Sequence, residues 1–219
     1  MHIPDGFLSP STWVPAWLLS IGGMSYCLRR VARILKEKMV PLMGVTSAFI
    51  FAAQMLNFPI AGGTSGHLIG GVLAAVLLGP FAGAIVITTV LTVQCVVFQD
   101  GGLTALGANI LNMSIVGTMG GYLIYLGLRK VIGGNRGIIA GVAVAAWASE
   151  VLAASGVAVE LAISGTSPLR VALPAMAGVH MLLGLGEAII TCSIIGFVLK
   201  VRPDLIYQPP LPEAGQEEE

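Results

Sequence analysis

The sequence contains few charged residues. Asp, Glu, Lys and Arg together make up 10% of its 219 residues, whereas a soluble domain carries about 25%. Its 11 basic and 11 acidic residues balance, so no excess positive charge is available to neutralise nucleic-acid phosphates. Hydrophobic residues make up 56% of the chain, which excludes intrinsic disorder, because disorder requires low hydrophobicity and high charge.

Cysteine clusters, a basic signal region and catalytic motifs are also missing. Cys27, Cys95 and Cys192 lie far apart in apolar runs without CxxC or metal-type spacing, so we predict buried, small apolar side chains. No Lys or Arg precedes Arg29, so the basic region of a signal peptide is lacking and we expect the mature chain to start at Met1. The absence of Walker A, HExxH and GxSxG patterns argues against an ATPase, a metalloprotease or a serine hydrolase.

Long apolar runs are present instead, and they predict an all-α integral membrane protein. About 20 apolar residues cross a bilayer as a helix, and the 29 glycines suit close packing of membrane helices. We predict a single membrane domain, 1–202, and an acidic, Pro- and Glu-rich cytoplasmic tail, 203–219. The apolar runs are residues 12–28, 40–57, 68–98, 103–128, 137–165 and 172–199.

The run 68–98 decides the predicted topology. As one helix it would be about 46 Å long, too long for a hydrocarbon core of about 30 Å, and Gly79-Pro80 divides it into two short, tilted spans. This division gives about seven transmembrane helices. With the N-terminus outside and the C-terminus in the cytoplasm, Arg170 is the only basic residue outside, as the positive-inside rule favours. The ten cytoplasmic basic residues are then Arg29, Arg30, Arg33, Lys36, Lys38, Arg129, Lys130, Arg136, Lys200 and Arg202.

The first two residues form a candidate metal chelate within the outside segment 1–11. The Met1 amine and the His2 amide nitrogen can close a five-membered ring on a metal ion, and the amide nitrogen and imidazole Nδ1 of His2 can close a six-membered ring. Ni²⁺ and Cu²⁺ favour such square-planar nitrogen sets, whereas Co²⁺ is less demanding. Pro4 restricts the backbone just after the chelate. The alternative is a disordered terminus with a chance histidine.

His67 is the candidate for a fourth nitrogen. It lies in a Gly-rich, charge-free stretch, 60–71, at the start of a short span. His67 itself belongs to the segment 57–67, which is on the outside in this topology, like His2. Irregular backbone at membrane depth is tolerated where it lines a cavity or is covered by protein. The alternative is a histidine at the interface where a helix begins.

Other polar residues within the spans leave two interpretations open. Intramembrane ionisable residues are functional candidates, either as a proton relay or as a buried network that fixes helix packing. The asparagines can bond across helices or orient a metal ligand. The ionisable residues are Glu150, Glu160, His180 and Glu187, and the asparagines are Asn109 and Asn112.

Four motifs resemble the CbiM/NikM family, the substrate-binding (S) components of energy-coupling factor (ECF) transporters for cobalt and nickel. They are MHIPDGFLS at the N-terminus, SGHLIGG around His67, FQDGGLTALGANILNM at 98–113 and HMLLGLGEAIIT at 180–191. The resemblance covers essentially the whole membrane part of the chain, which implies a multi-pass protein of a prokaryotic cell membrane.

The resemblance also implies a metal site and partners. The metal is held by the Met1 amine, the amide and imidazole nitrogens of His2, and the His67 imidazole. Uptake requires a transmembrane T component and paired cytoplasmic ATPases, and a small accessory membrane subunit is a further partner in the family. The small-residue motif that docks S components on the T component matches Ala48 and Ala52.

We therefore expect a subunit that captures Ni²⁺ or Co²⁺ and performs no chemistry itself, with Ni²⁺ favoured by the four-nitrogen plane. A stand-alone secondary transporter that uses Glu150, Glu160 and Glu187 is the alternative. An intramembrane enzyme built on His180 and Glu187, or a structural membrane subunit without metal, are further alternatives.

Overall fold

The computed structural model describes residues 1–35, 37, 39–60 and 64–208, and within them the chain folds into seven helices. The basic residues Lys36 and Lys38 and tail residues 209–219 lie outside this described part. A short 3₁₀ turn, Pro203–Leu205, follows the last helix. The helices are α1 (Pro10–Ile34), α2 (Met39–Gln54), α3 (Gly71–Leu78), α4 (Pro80–Phe98), α5 (Leu106–Ile132), α6 (Gly134–Ile163) and α7 (Leu169–Val201).

Four of these helices, α4 to α7, are long and apolar enough to cross a membrane. Helix α2 is apolar but has 16 residues, and α3 has eight, about 12 Å of helix, which is shorter than a bilayer core. Helix α1 has 25 residues but is less apolar. The helical membrane class is thus supported by four spans, whereas the full set of seven spans and the side on which each terminus lies stay predictions.

The predicted break at Gly79-Pro80 is confirmed. Helix α3 ends at Leu78, Gly79 has a φ of +86°, and Pro80 begins α4, where the missing N–H of proline costs no helical hydrogen bond. The two helices pack so closely that a Cβ atom on Gly83 would lie 2.8 Å from the main-chain nitrogen of Ala75. Glycine therefore permits this tight helical hairpin.

The chain is mostly helical, as predicted, and two short strands that the sequence analysis did not predict precede α3. Strand β1 (Phe58–Ile60) pairs antiparallel with β2 (Thr64–Gly66), and Phe58 lies opposite Gly66. A Cβ atom on Gly66 would lie 2.9 Å from a methyl group of Leu183, so glycine lets β2 lie against α7. Strand β2 ends one residue before His67, which is buried.

Helix α5 has a π-helical middle, Ile110–Gly120, which the apolar pattern did not indicate. The Thr118 hydroxyl donates to the carbonyl of Met113, five residues earlier, at 3.0 Å. Asn109 and Asn112 lie on either side of the point where the π-helical part begins, and such segments often occur near functional sites. The two asparagines bond to different parts of the chain, Asn109 to Ile3 and Asn112 to Glu160.

The bundle has two ends, which we name by their contents. The terminal end contains residues 1–9, the β1–β2 hairpin and the segments 99–105 and 164–168. The basic end contains the end of α1, the turn at Gly79 and residues 202–208, where the Tyr207 N–H donates to the Val76 carbonyl at 2.9 Å. The candidate metal centre lies at the terminal end.

Candidate metal centre

The N-terminal segment is folded into the bundle rather than left as a loose tail. Met1 and Ile3 are fully buried, and His2 is 4% exposed. Asp5 accepts hydrogen bonds from the N–H groups of Leu103 and Thr104, at 3.1 and 2.8 Å. Burial of two large apolar side chains contributes about 1.5–3 kcal/mol each. The structure therefore disfavours the alternative of a disordered terminus.

Asn109 holds the main chain immediately after His2. The Ile3 N–H donates to Asn109 Oδ1 at 2.9 Å, and Asn109 Nδ2 donates to the Ile3 carbonyl at 3.3 Å. The same carbonyl accepts the Gly102 N–H at 2.9 Å. Asn109 thus orients the terminus, whereas Asn112 joins α5 to α6 by donating to Glu160 at 2.7 Å. This difference separates the two roles that the sequence left open.

The imidazoles of His2 and His67 are stacked. Their ring centroids lie 4.5 Å apart at an interplanar angle of 24°, and His67 is fully buried. Neither ring nitrogen of His2, nor Nε2 of His67, has a hydrogen-bond partner among the described residues. A buried polar atom without a partner is costly, so three such nitrogens on two stacked rings indicate a ligand site.

Hydrogen bonding and burial leave the His67 imidazole ready to bind a metal through Nε2. Its Nδ1 lies 2.8 Å from the Leu68 carbonyl, which assigns the proton to Nδ1 and the lone pair to Nε2. Burial lowers the pKa of His67 well below its usual value, and the neighbouring amine and His2 lower it further. Burial likewise lowers the pKa of His2, although Asp100 opposes that shift. Both rings are therefore neutral at pH 7.

The Met1 amine completes the group of candidate donors. It is buried, donates to the Ser65 carbonyl and lies 3.2 Å from Ser65 Oγ. Burial lowers the pKa of this amine from 8.0 to about 5, so it is neutral at pH 7 and its lone pair is available. The amide nitrogen of His2 has no hydrogen-bond partner in the described part of the chain. Hence the predicted donors Met1, His2 and His67 lie together.

An ordinary side-chain metal site is not present in the described residues. No group of three or more His, Cys, Asp or Glu side chains there has a geometry that could hold a metal ion. The predicted chelate differs from such a site, because two of its four donors are main-chain nitrogens.

Asp100 is a site residue that the sequence analysis missed. Its Oδ1 lies 3.3 Å from His2 Nδ1, outside hydrogen-bonding geometry, and its Oδ2 accepts from Asn57 Nδ2 at 3.0 Å. Gln94 of α4 is also buried, with both amide atoms unpartnered among the described residues. In the sequence, Asp100 could have been recognised as an acidic residue that lies in an outside segment, next to two glycines.

Two buried carboxylates hold the loop that carries His67. The Ile69 N–H donates to Glu150 Oε1 at 3.0 Å and to Glu187 Oε2 at 2.7 Å, and the Gly70 N–H donates to Glu187 Oε1 at 3.0 Å. Gln54 Nε2 donates to the Ile69 carbonyl at 2.7 Å. The N–H and the carbonyl of Ile69 and the N–H of Gly70 are thus all held by side chains, two to three residues after His67. Of the two interpretations left open, these contacts favour a packing network over a relay.

Replacement of Glu187 by glutamine is expected to weaken metal binding about tenfold, within the usual range for residues that orient metal ligands. The carboxylate accepts two N–H groups, whereas an amide would turn an NH₂ group toward one of them. Metal affinity of the purified protein, measured by competition with a chelator, checks this result.

Glu160→Gln is the matched control for that substitution. Glu160 also lies in a membrane helix, but its partner is Asn112 rather than the His67 loop. A glutamine oxygen can still accept the Asn112 amide, so metal affinity should stay within about twofold of the unchanged protein. Equal weakening in both variants would contradict the positioning role of Glu187.

His180 is buried in a setting similar to that of His67. Its Nδ1 lies 2.7 Å from the Met176 carbonyl one turn earlier, and its Nε2 has no partner among the described residues. The structure does not assign it a contact with His2 or His67. A structural role for His180 stays a prediction.

Ala48 and Ala52 lie on the exposed face of α2. The opposite face of this helix packs inward through Ile50 and Gln54, which are buried. The two alanines therefore do not pack against another part of the described chain, which leaves this face available for another helix.

The fold and the site together define a membrane-embedded transition-metal transport protein. The chain is similar to crystal structures of a transition metal transporter and of its truncated form, each with a TM-score of 0.85 and 34% identity. These similarities cover 92% and 91% of this chain and 93% and 99% of those chains, respectively. Residues 2–205 match the family model described as the cobalt uptake substrate-specific transmembrane region. The chain belongs to this CbiM family.

Relatives named for nickel transport support the same assignment. A provisionally assigned fused nickel transport protein, NikMN, of Archaeoglobus fulgidus is 45% identical over 97% of this chain and 70% of its own length. The fused nickel transport protein NikMN of Rhodobacter capsulatus is 36% identical over 99% of this chain and 67% of its own length. The predicted family is confirmed as one of cobalt and nickel transport proteins.

Proposed function

We propose that this chain is the substrate-specificity (S) subunit of an ECF-type importer and that it captures Ni²⁺ or Co²⁺ from outside the cell. The stacked His2 and His67 rings beside the buried Met1 amine carry this proposal. The Met1 amine, the His2 amide and imidazole nitrogens and the His67 imidazole are the four donors.

Capture follows from the state of these donors. Three of the four nitrogens offer a lone pair at pH 7, so the ion exchanges bound water for these donors and displaces one proton, from the His2 amide. Asp100, whose side chain is 19% exposed, supplies a negative charge between the surface and the buried rings and attracts the incoming cation. The hydrogen bonds of Asn109 hold the N-terminal segment, and those of Glu187 hold the His67 loop. Together they keep the donors of the two segments next to each other.

The donor set favours Ni²⁺ over Co²⁺. A deprotonated amide and three further nitrogens suit the square-planar geometry of Ni²⁺, whereas Co²⁺ gains less from that arrangement. Purified protein with only a C-terminal tag should retain about one Ni²⁺ per chain in elemental mass spectrometry. Protein without bound Ni²⁺ or Co²⁺ after growth with both ions would contradict the proposal and favour a structural subunit.

Import requires partner subunits in this proposal, because the chain has no ATP-binding motif of the Walker A type. The partners are a transmembrane T component, paired cytoplasmic ATPases and a small accessory membrane subunit. We propose an N-terminus outside and a C-terminus in the cytoplasm of a prokaryotic cell, with seven spans that include the shorter α2 and α3. Metal uptake by this chain alone in liposomes would instead favour a secondary transporter.

Ala48→Leu is expected to reduce co-purification with the T component at least about fivefold. A leucine on the small-residue face of α2 prevents the close helix approach that such faces allow. Metal retained by the isolated chain should not change, since Ala48 is exposed and distant in sequence from the donors. Val40→Leu, a conservative change at an exposed position of the same helix, is the control. Unchanged assembly of the Ala48 variant would contradict docking through this face.

A further inference from the structure

Two adjoining cavities lie at the basic end of the bundle, away from the metal centre. The first has a volume of about 380 Å³ between α1, the start of α4, α5 and Tyr207. The second, of about 720 Å³, is lined mainly by apolar side chains of α1, α2 and α3 and by residues 202–208. Arg33, Ile34 and Tyr207 line both, so the two cavities form one continuous cleft.

The cleft contains positive charge without a matching negative charge. Arg30 and Arg33 line it, and neither forms an ion pair with any residue in the described part of the chain. The Arg30 guanidinium lies over the rings of Tyr26 and Phe81, with centroid distances of 5.7 and 5.4 Å, which holds it in place. Arg202 differs, because it is neutralised by Asp204 at 2.8 Å.

A buried hydroxyl adds a second polar feature to the same cleft. Tyr122 lines the first cavity and is 3% exposed, and its Oη has no hydrogen-bond partner among the described residues. A buried tyrosine hydroxyl normally has a partner. The unpaired guanidinium groups and the hydroxyl together match a phosphate, since arginine binds phosphate oxygens through paired N–H groups.

We propose that this cleft binds an anionic phospholipid from the leaflet at the basic end. The phosphate lies on Arg30 and Arg33, and the apolar lining of the second cavity, which includes Leu42, Leu77 and Leu78, takes an acyl chain. Basic pockets between membrane helices are suited to anionic headgroups, and each basic residue near such a surface strengthens binding. The proposal depends on membrane embedding and not on the metal centre.

Native mass spectrometry of the full, C-terminally tagged chain tests this proposal. Phosphatidylglycerol should bind at least about tenfold more tightly than phosphatidylcholine with identical acyl chains. The double variant Arg30→Gln, Arg33→Gln should lose about tenfold or more of that affinity. Tyr122→Phe should show a smaller loss. Metal content should be the same in all variants, so failure of this proposal is distinguishable from failure of the metal-capture proposal.

Lys130→Gln with Arg136→Gln is the matched control, because it removes the same charge from exposed residues at the same end that do not line the cleft. Lipid affinity should remain within about twofold in this variant. Equal loss in both double variants would overturn the proposal in favour of general surface charge. Equal binding of the two lipids would also overturn it, as would displacement of phosphatidylglycerol by millimolar inorganic phosphate, which would indicate a site for free anions.

Discussion

A long, histidine-free N-terminal tag should abolish tight binding of Ni²⁺ or Co²⁺, although every side chain of the site remains. The tag converts the Met1 amine, which closes the five-membered ring with the His2 amide nitrogen, into an amide, and it displaces the terminus from its contact with Ser65. Nitrogen and sulfur sites with four donors bind metal with free energies of order 10 kcal/mol, so loss of one donor costs about 2–3 kcal/mol, roughly 100-fold in affinity.

Insertion of a single residue would not be a suitable test, because a free amine two residues before the histidine offers Ni²⁺ a four-nitrogen set of its own, made of the amine, two amides and the imidazole. A tag without histidine avoids such a terminus. His2→Ala should have the same effect as the tag, because it removes the third nitrogen.

The measurement is metal retained per protein in a C-terminally tagged chain, with and without the added N-terminal tag. Size-exclusion profiles should be alike, since the helices of the bundle are unchanged. Equal metal retention by the two proteins would rule out the N-terminal chelate and would leave His67 without its partners.

His67→Ala should lose most of its metal affinity, again roughly 100-fold, while folding and membrane insertion survive. It removes one nitrogen donor whose lone pair is free at Nε2, as the Nδ1 contact with the Leu68 carbonyl shows. Isothermal titration of the purified, metal-free protein with Ni²⁺ gives the change in affinity.

His180→Ala is an unusually close control. Both histidines are fully buried, both have Nδ1 bonded to a main-chain carbonyl, and both have an unpartnered Nε2 among the described residues. The two substitutions should therefore cost similar stability, and only the His67 variant should lose metal. Comparable metal loss in both would contradict the separate roles assigned to them.

Much of the architecture could be predicted from the sequence, because apolar runs and helix breaks are local properties. The long runs predicted α4 to α7, and Gly79-Pro80 marked the turn between α3 and α4. Met1, His2 and His67 were predicted as metal donors on three grounds: the backbone chemistry of the terminus, the placement of His2 and His67 on the same side of the membrane, and the family motifs. Their proximity agrees with that prediction.

Other features depend on the tertiary structure, because they join residues that are distant along the chain. Asp100 reaches His2 across 98 positions, Glu150 meets Ile69 across 81, and Asn109 meets Ile3 across 106. Hydrophobic periodicity contains no information about such pairs. The sequence alone therefore determined that this is a helical membrane protein, and it predicted a metal-binding terminus. Only the packed bundle decided which polar groups hold that terminus and the His67 loop, because a buried donor or acceptor is stable only where folding brings its partner within hydrogen-bonding distance.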